Sequence, residues 1–151
     1  MEKSRVNLGK AAPQPYQAVT GLDKLVADLT LSVGFAEGFA HLLRLRASQI
    51  NQCAYCVRMH TRDALKTGES SDRISVFTAW RESGYFTDKE RAALLLTEAV
   101  TCIAKGQVPD PVYEEAAAAL NEKEIAAVEW LAVVMNVWNR IAISSRYPVK
   151  P

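Results

Sequence analysis

The chain has 151 residues, of which 49% are hydrophobic and 23% are charged, and its formal net charge is +1. This length and composition predict one globular domain that is large enough to bury a core without disulfide staples. The small net charge gives no electrostatic argument for nucleic acid or an anionic membrane as a partner. The longest apolar run, residues 130–135, is far shorter than the roughly 18 residues of a membrane span, and residues 1–13 lack the apolar segment of a secretory signal.

Apolar residues recur at helical spacing along most of the chain, and no stretch alternates with a period of two, so we predict an all-α fold. Residues 1–15 combine charges, glycine and two prolines, and we expect them to form an N-terminal arm. The helical domain should occupy residues 16–147 and leave 148–151 as a C-terminal tail. Its six to seven predicted helices cover residues 16–31, 35–50, 51–68, 70–84, 87–105, 110–120 and 122–144.

Four local signals predict where these helices begin or end. Asn51 is expected to cap the start of the third helix through its side-chain oxygen, and Gly68 to end that helix in a left-handed conformation. The segments 87–90 (TDKE) and 121–124 (NEKE) fit the capping-box pattern, in which a polar residue and a glutamate three positions later satisfy each other's backbone amides.

The last helix has a second apolar face that a single small core does not need. This face consists of Trp130, Val134, Val137 and Ile141. Large exposed apolar patches are rare on monomers, so we expect this face to meet another subunit in a homo-oligomer.

The chain has three cysteines, and two of them lie close together with a histidine. Cys53 and Cys56 are three residues apart, and His60 follows Cys56 by four, so in a helix the three side chains share one stripe. Such a close pair in an odd set of cysteines favours a reducing cytoplasm, where it is more typical of catalysis or metal binding than of a structural disulfide.

A cysteine attacks as its thiolate, which a helix N-terminus or a neighbouring imidazole favours. Cys53 should lie in the first helical turn, whereas Cys56 has His60 in position to take its proton. We therefore expect Cys56 to attack an oxidant such as a peroxide and become a sulfenic acid. Cys53 would then condense with it to close a disulfide.

Other interpretations of the stripe compete with this one. The two cysteines could be buried apolar residues. A structural zinc site needs four ligands, and only Cys102 and His41 remain to complete one. Covalent haem attachment requires a histidine directly after the second cysteine, where the chain has Val57. No βαβ pattern surrounds the motif, which argues against a thioredoxin-like protein.

The segment LRLRASQINQCAYCVRMHTRDALKTGE resembles the core of the AhpD-like alkylhydroperoxidase family, in the carboxymuconolactone decarboxylase superfamily. The resemblance extends to the RVN, AWRES and TDKERAALLLTEAVT segments. It implies an all-helical AhpD-like fold, assembly into trimers or hexamers, and cysteine-based peroxidase or disulfide-reductase activity without a metal or organic cofactor. It also implies that a dithiol, such as a lipoyl-bearing adaptor protein, supplies the electrons.

By the same resemblance, Cys56 is the peroxide-reactive cysteine, Cys53 its disulfide partner and His60 part of a proton relay. The decarboxylase branch of the superfamily lacks the cysteine pair, so lactone decarboxylation is the weaker inference.

The chain departs from the family pattern twelve residues before Cys53, where His41 replaces a glutamate of the proton relay. A histidine can relay protons near neutral pH, but it lacks the permanent negative charge that would keep His60 cationic. Glu37, four residues earlier, could stand in for that glutamate or pair with His41. His41 is therefore either a relay residue or a bystander, and the second case leaves a non-catalytic redox sensor or binding subunit as the alternative function.

Overall fold

The computed structural model of the protein describes residues 4–151, and all regular secondary structure in this range is helical. This confirms the predicted all-α fold. The nine α-helices of the described range are α1 (Leu8–Ala11), α2 (Pro13–Ser32), α3 (Glu37–Ile50), α4 (Ala54–Lys66), α5 (Ser71–Ser75), α6 (Asp88–Thr101), α7 (Ile103–Gly106), α8 (Asp110–Ala119) and α9 (Glu122–Ser144), with a 3-10 turn at Phe77–Ala79.

The two helices beyond the predicted number are single short turns. α7 separates from α6 because the backbone of Cys102 leaves helical geometry, so the predicted helix over residues 87–105 is divided. α1 lies inside the predicted N-terminal arm, of which residues 1–3 are outside the described range. The predicted boundary between residues 15 and 16 falls inside α2, which starts at Pro13, since proline is well suited to a first helical turn.

The start of α4 differs from the prediction. Its N-cap is Cys53, whereas Asn51 caps the end of α3. The side-chain amide of Asn51 donates to the side-chain oxygens of Asn136 and Asn139 on α9, at 2.9 Å each, so this residue ties two helices together. The positive φ of Gln52, 57°, then turns the chain towards Cys53.

The other predicted boundary signals agree with the structure. Both capping boxes form, at residues 87–90 and at 121–124. Gly68 directly follows the C-cap of α4 with a φ of 100°, a conformation that glycine adopts without strain.

The predicted fourth helix is shorter than expected. It ends at Ser75 instead of residues 83–84, and the chain continues through the 3-10 turn. This tighter turn places Phe77 and Trp80 in the core, where Phe77 packs against Phe86 with 5.7 Å between ring centroids. Aromatic packing therefore decides where this helix stops.

α9 is the central helix, and it contacts α2, α3 and α6. It is the one described helix that length and composition alone would allow to span a membrane, and half of its most apolar window is buried inside the protein. The main core consists of buried side chains from all of these helices, including Val26, Phe39, Leu42, Leu43, Leu94, Leu96, Val128, Leu131 and Val134.

The residues of the predicted intersubunit face of α9 differ in their exposure, and the contact of this face with another subunit stays a prediction. Val134 is 0% exposed and belongs to the core, because α9 is enclosed on more than one side. Trp130 is 49% exposed, and the neighbouring Val133 is also exposed. The large apolar side chains that α9 exposes are therefore Trp130, Val133 and, near its C-terminal end, Ile143, whereas Val137 and Ile141 are half-buried.

Candidate active site

The two cysteines of the predicted stripe lie at the start of α4 and form a disulfide, with 5.3 Å between their Cα atoms. Each is 2% exposed. The Sγ atom of Cys53 also accepts a hydrogen bond from the backbone N–H of Cys56 at 3.3 Å. A sulfur atom therefore occupies the position where a helix N-terminus stabilises negative charge.

A cavity of about 190 Å³ opens beside the disulfide, and Cys56 is the cysteine that lines it. His60 and Met59 of α4 also line this cavity, whereas Cys53 does not. The two cysteines therefore have different surroundings, since an incoming molecule in the cavity meets the sulfur-bearing side chain of Cys56.

Aromatic side chains form much of the cavity wall. Tyr16 packs edge-on against Trp138 with 5.2 Å between ring centroids, and Tyr55 packs edge-on against Tyr147 at 5.1 Å. Burial, together with the neighbouring Tyr16 and Tyr55, raises the pKa of Tyr147. Its phenol therefore stays protonated at neutral pH, and it is hydrogen-bonded to Tyr16 at the cavity wall.

His60 lies one turn after Cys56 on the same side of α4, as the spacing predicts, and it is 5% exposed. Within residues 4–151 neither of its ring nitrogens has a hydrogen-bond partner. Burial, aided by the positive charge of Arg44 and by His41, lowers the pKa of His60 to about 3. The ring is therefore neutral at physiological pH, and its affinity for a proton is lower than that of an exposed imidazole.

His41 lies across from His60, on α3. The two imidazole rings are stacked, with 5.7 Å between centroids and 27° between planes. Burial lowers the pKa of His41, and the charge of Asp63 opposes this effect. His41 and His60 therefore lie next to each other across α3 and α4 and meet through their ring faces, and a proton relay between them stays a prediction.

Glu37 lies at the exposed first residue of α3. It lines a second cavity, of about 330 Å³, together with His41 and His60. Its negative charge raises the pKa of His41, but more weakly than the charge of Asp63 does. Glu37 therefore acts on His41 through electrostatics, and Asp63 is the stronger acidic neighbour.

Two charged residues of the site were not singled out in the sequence. Asp63 lies near both histidines, and Arg44 forms an ion pair with Asp23 of α2 at 2.7 Å. Their spacing in the sequence could have identified them, because Asp63 follows His60 by three residues and Arg44 follows His41 by three. That spacing places each on the same helix face as a histidine.

Comparison with known proteins assigns the chain to a family. The profile of the carboxymuconolactone decarboxylase family matches residues 16–99. The chain belongs to this family. It is 33% identical over 140 residues to the uncharacterised Bacillus subtilis protein YdfG, an alignment that covers 93% of this chain and 92% of YdfG.

A crystal structure from Agrobacterium tumefaciens is similar to the chain in both fold and sequence. The TM-score is 0.86 and the identity 39%, over 98% of this chain and all of the other. That protein is described as one of unknown function and a candidate antioxidant defence protein AhpD. The chain is therefore an AhpD-like member of its family, and its two neighbouring cysteines form a disulfide.

Proposed function

We propose that the protein is a thiol-dependent hydroperoxidase or disulfide reductase of the AhpD type, which cycles Cys53 and Cys56 between dithiol and disulfide. The observation that carries the proposal is the Cys53–Cys56 disulfide beside a cavity that only Cys56 of the pair lines. Membership of the AhpD-like family supports the same class of reaction.

In the peroxidase half of the cycle, the neutral ring of His60 takes the proton of the Cys56 thiol. The thiolate attacks the terminal oxygen of a hydroperoxide, the O–O bond breaks, and the alkoxide leaves as an alcohol with the proton from His60. Cys56 is then a sulfenic acid. The thiolate of Cys53 attacks its sulfur, so the disulfide forms and hydroxide leaves as water after protonation.

In the reductive half, a dithiol donor returns two electrons. One donor thiolate enters the cavity and attacks the sulfur of Cys56, and Cys53 leaves as a thiolate. The helix N-terminus around the Cys53 sulfur stabilises this leaving group, since its Sγ already accepts the N–H of Cys56. The second donor thiol then attacks the mixed disulfide, which frees Cys56 and closes the donor's own disulfide.

The cavity walls indicate the kind of substrate. Four of the ten lining residues are large aromatic side chains, Tyr16, Tyr55, Trp138 and Tyr147, which lie around Cys56. Such a surface favours an organic hydroperoxide over hydrogen peroxide, because it removes apolar substrate surface from water. A lipoyl-type dithiol has an apolar chain that suits the same wall, and the exposed Trp130 and Val133 support a homo-oligomer.

The surroundings of His60 favour a second candidate function, a redox sensor or binding subunit. Burial lowers its pKa most, and the neighbouring Arg44 and His41 lower it further, so the imidazolium that follows deprotonation of Cys56 is disfavoured. A slow attack on peroxide would still leave a reversible dithiol–disulfide pair. Oxidation would then change assembly or partner choice without rapid turnover.

Hydroperoxide consumption with excess dithiol separates these functions. We would compare the wild type with Cys56→Ser and Cys53→Ser, using cumene hydroperoxide and hydrogen peroxide. The proposal expects turnover by the wild type, none by Cys56→Ser, and dithiol-dependent turnover reduced at least tenfold in Cys53→Ser, which lacks the partner for the disulfide. Cys102→Ser, which removes a cysteine outside the pair, should retain wild-type activity.

If the wild type turns over peroxide no faster than Cys56→Ser does, the hypothesis that the protein is a peroxidase is contradicted. An equilibrium redox titration of the same proteins then tests the sensor. A reversible midpoint in the wild type, absent from Cys56→Ser, would support it.

A further inference from the structure

The second cavity brings three metal-binding side chains together. His41 of α3 and His60 and Asp63 of α4 each offer one ligand atom, and these atoms all lie within 4.8 Å of one another. The same residues line the cavity of about 330 Å³. None of the roles in the thiol cycle requires Asp63, so the cluster has a feature that the cycle leaves unexplained.

The histidine nitrogens at this cluster are unsatisfied. Nδ1 and Nε2 of His60 and Nδ1 of His41 are buried, and none has a hydrogen-bond partner in the described part of the chain. Buried polar atoms are normally paired, and an exception calls for an explanation. A ligand that accepts an electron pair from imidazole nitrogen would satisfy one nitrogen of each ring.

The charges around the cavity favour a cation. Asp23, Glu37 and Asp63 supply three carboxylates to its wall, against one guanidinium from Arg44. The guanidinium is engaged with Asp23 at 2.7 Å, and within residues 4–151 neither Asp63 nor Glu37 forms a salt bridge. A divalent ion would therefore enter a cavity of opposite charge.

We propose that His41, His60 and Asp63 bind a divalent first-row transition metal ion, of which Zn²⁺ is the representative case. Two imidazole nitrogens and one carboxylate oxygen are a donor set that zinc accepts, with a fourth position open to water. Bonds of about 2.0–2.2 Å place the ligand atoms of a tetrahedral site roughly 3.4 Å apart. Side-chain rotations that move each ligand atom by about 1 Å would bring the three atoms from their present separations to that distance.

This site differs from a zinc site built on the cysteines, because it uses neither thiol. The observations that support it do not depend on the proposed thiol chemistry, although both the metal site and the thiol cycle would use His60. An ion bound to His60 would prevent the ring from taking the proton of Cys56. Metal binding and thiol activity would therefore oppose each other if both occur.

The test measures metal binding without any turnover. The protein is the full chain without an affinity tag, with the Cys53–Cys56 disulfide closed and Cys102→Ser to remove the remaining thiol. After removal of metals with a chelator, Zn²⁺ affinity is measured by competition with a chromogenic chelator. Co²⁺ binding is followed by its visible absorption, which reports the ligand geometry.

Three variants distinguish the site from nonspecific binding. His41→Phe and Asp63→Asn each remove one ligand, and Asp72→Asn removes an exposed carboxylate on α5 as a charge-matched control. We expect one ion per chain in the wild type and in the control, and binding at least about tenfold weaker in the two ligand variants. Far-UV circular dichroism is used to check that all three variants are folded.

The proposal is overturned if the wild type binds neither ion. It is also overturned if His41→Phe or Asp63→Asn binds as tightly as Asp72→Asn. None of these results depends on peroxide or dithiol, so failure of the metal site leaves the test of the thiol cycle unaffected.

Discussion

The buried, neutral state of His60 should make the stability of the protein depend on pH. In the folded chain, burial lowers the pKa of His60 from 6.5 to about 3. Between these values the unfolded chain binds a proton that the folded chain excludes. The stabilising contribution of the neutral His60 to the free energy of unfolding is therefore fully present above pH 6.5 and is lost as the pH falls towards 3. Replacing His60 with glutamine removes the titrating group and should remove this dependence.

The size of the effect follows from the two pKa values. From pH 8 to pH 5, the unfolded chain gains almost one proton at His60 and the folded chain gains almost none. At about 1.4 kcal/mol per pH unit over the 1.5 units from 6.5 to 5, the wild type should lose about 2 kcal/mol of unfolding free energy that His60→Gln retains. The window lies above the usual range of carboxyl groups, and the lowered pKa of His41 affects both proteins in the same direction.

Urea unfolding followed by circular dichroism at pH 8, 7, 6 and 5 measures this difference. Both proteins are kept with the disulfide closed and with a metal chelator present, at one protein concentration. The difference between wild type and His60→Gln should shift by about 2 kcal/mol across the series, whatever the absolute stability of the variant. If the difference in unfolding free energy between the two proteins stays constant within about 0.5 kcal/mol at every pH, the conclusion that His60 is neutral because it is buried is refuted.

Three further predictions test the site and its surroundings. His41→Glu places a carboxylate beside His60, which should raise the pKa of His60. The reaction with cumene hydroperoxide, measured by stopped-flow, should become faster by up to about tenfold. A slower reaction would show that His41 itself relays protons. Zn²⁺ should inhibit dithiol-dependent peroxide turnover of the wild type, and Asp63→Asn should resist it; equal inhibition would separate the effect from the metal site. Trp130→Glu should lower the mass measured by light scattering, and a wild type that is already monomeric would contradict an interface on α9.

Local sequence signals predicted most of the fold because they act within one helix. Apolar spacing and the capping boxes located α6 and α9, and Gly68 marked the end of α4. The errors arose where distant residues decide the local structure. Asn51 looks like a cap for α4, but its amide is bound by Asn136 and Asn139 of α9. No signal near Asn51 reveals that contact.

The same distinction applies to the site. The stripe of Cys53, Cys56 and His60 was predictable because its members are three and four residues apart on one helix. The proximity of His41 followed from the family pattern. Asp63 became significant only when the packing of α3 against α4 placed it near both histidines. The aromatic wall of the cavity required α2, α9 and the C-terminal segment to meet, which helical spacing does not encode.

The central claim is that Cys56 is the attacking thiol and Cys53 its partner. The most direct measurement adds one equivalent of cumene hydroperoxide to reduced Cys53→Ser and to reduced Cys56→Ser, with dimedone present to trap sulfenic acid, and locates the adduct by mass spectrometry. We predict an adduct on Cys56 in the first protein and none on Cys53 in the second, with Cys102 unmodified in both. An adduct on Cys53, formed as fast as the one on Cys56, would contradict it.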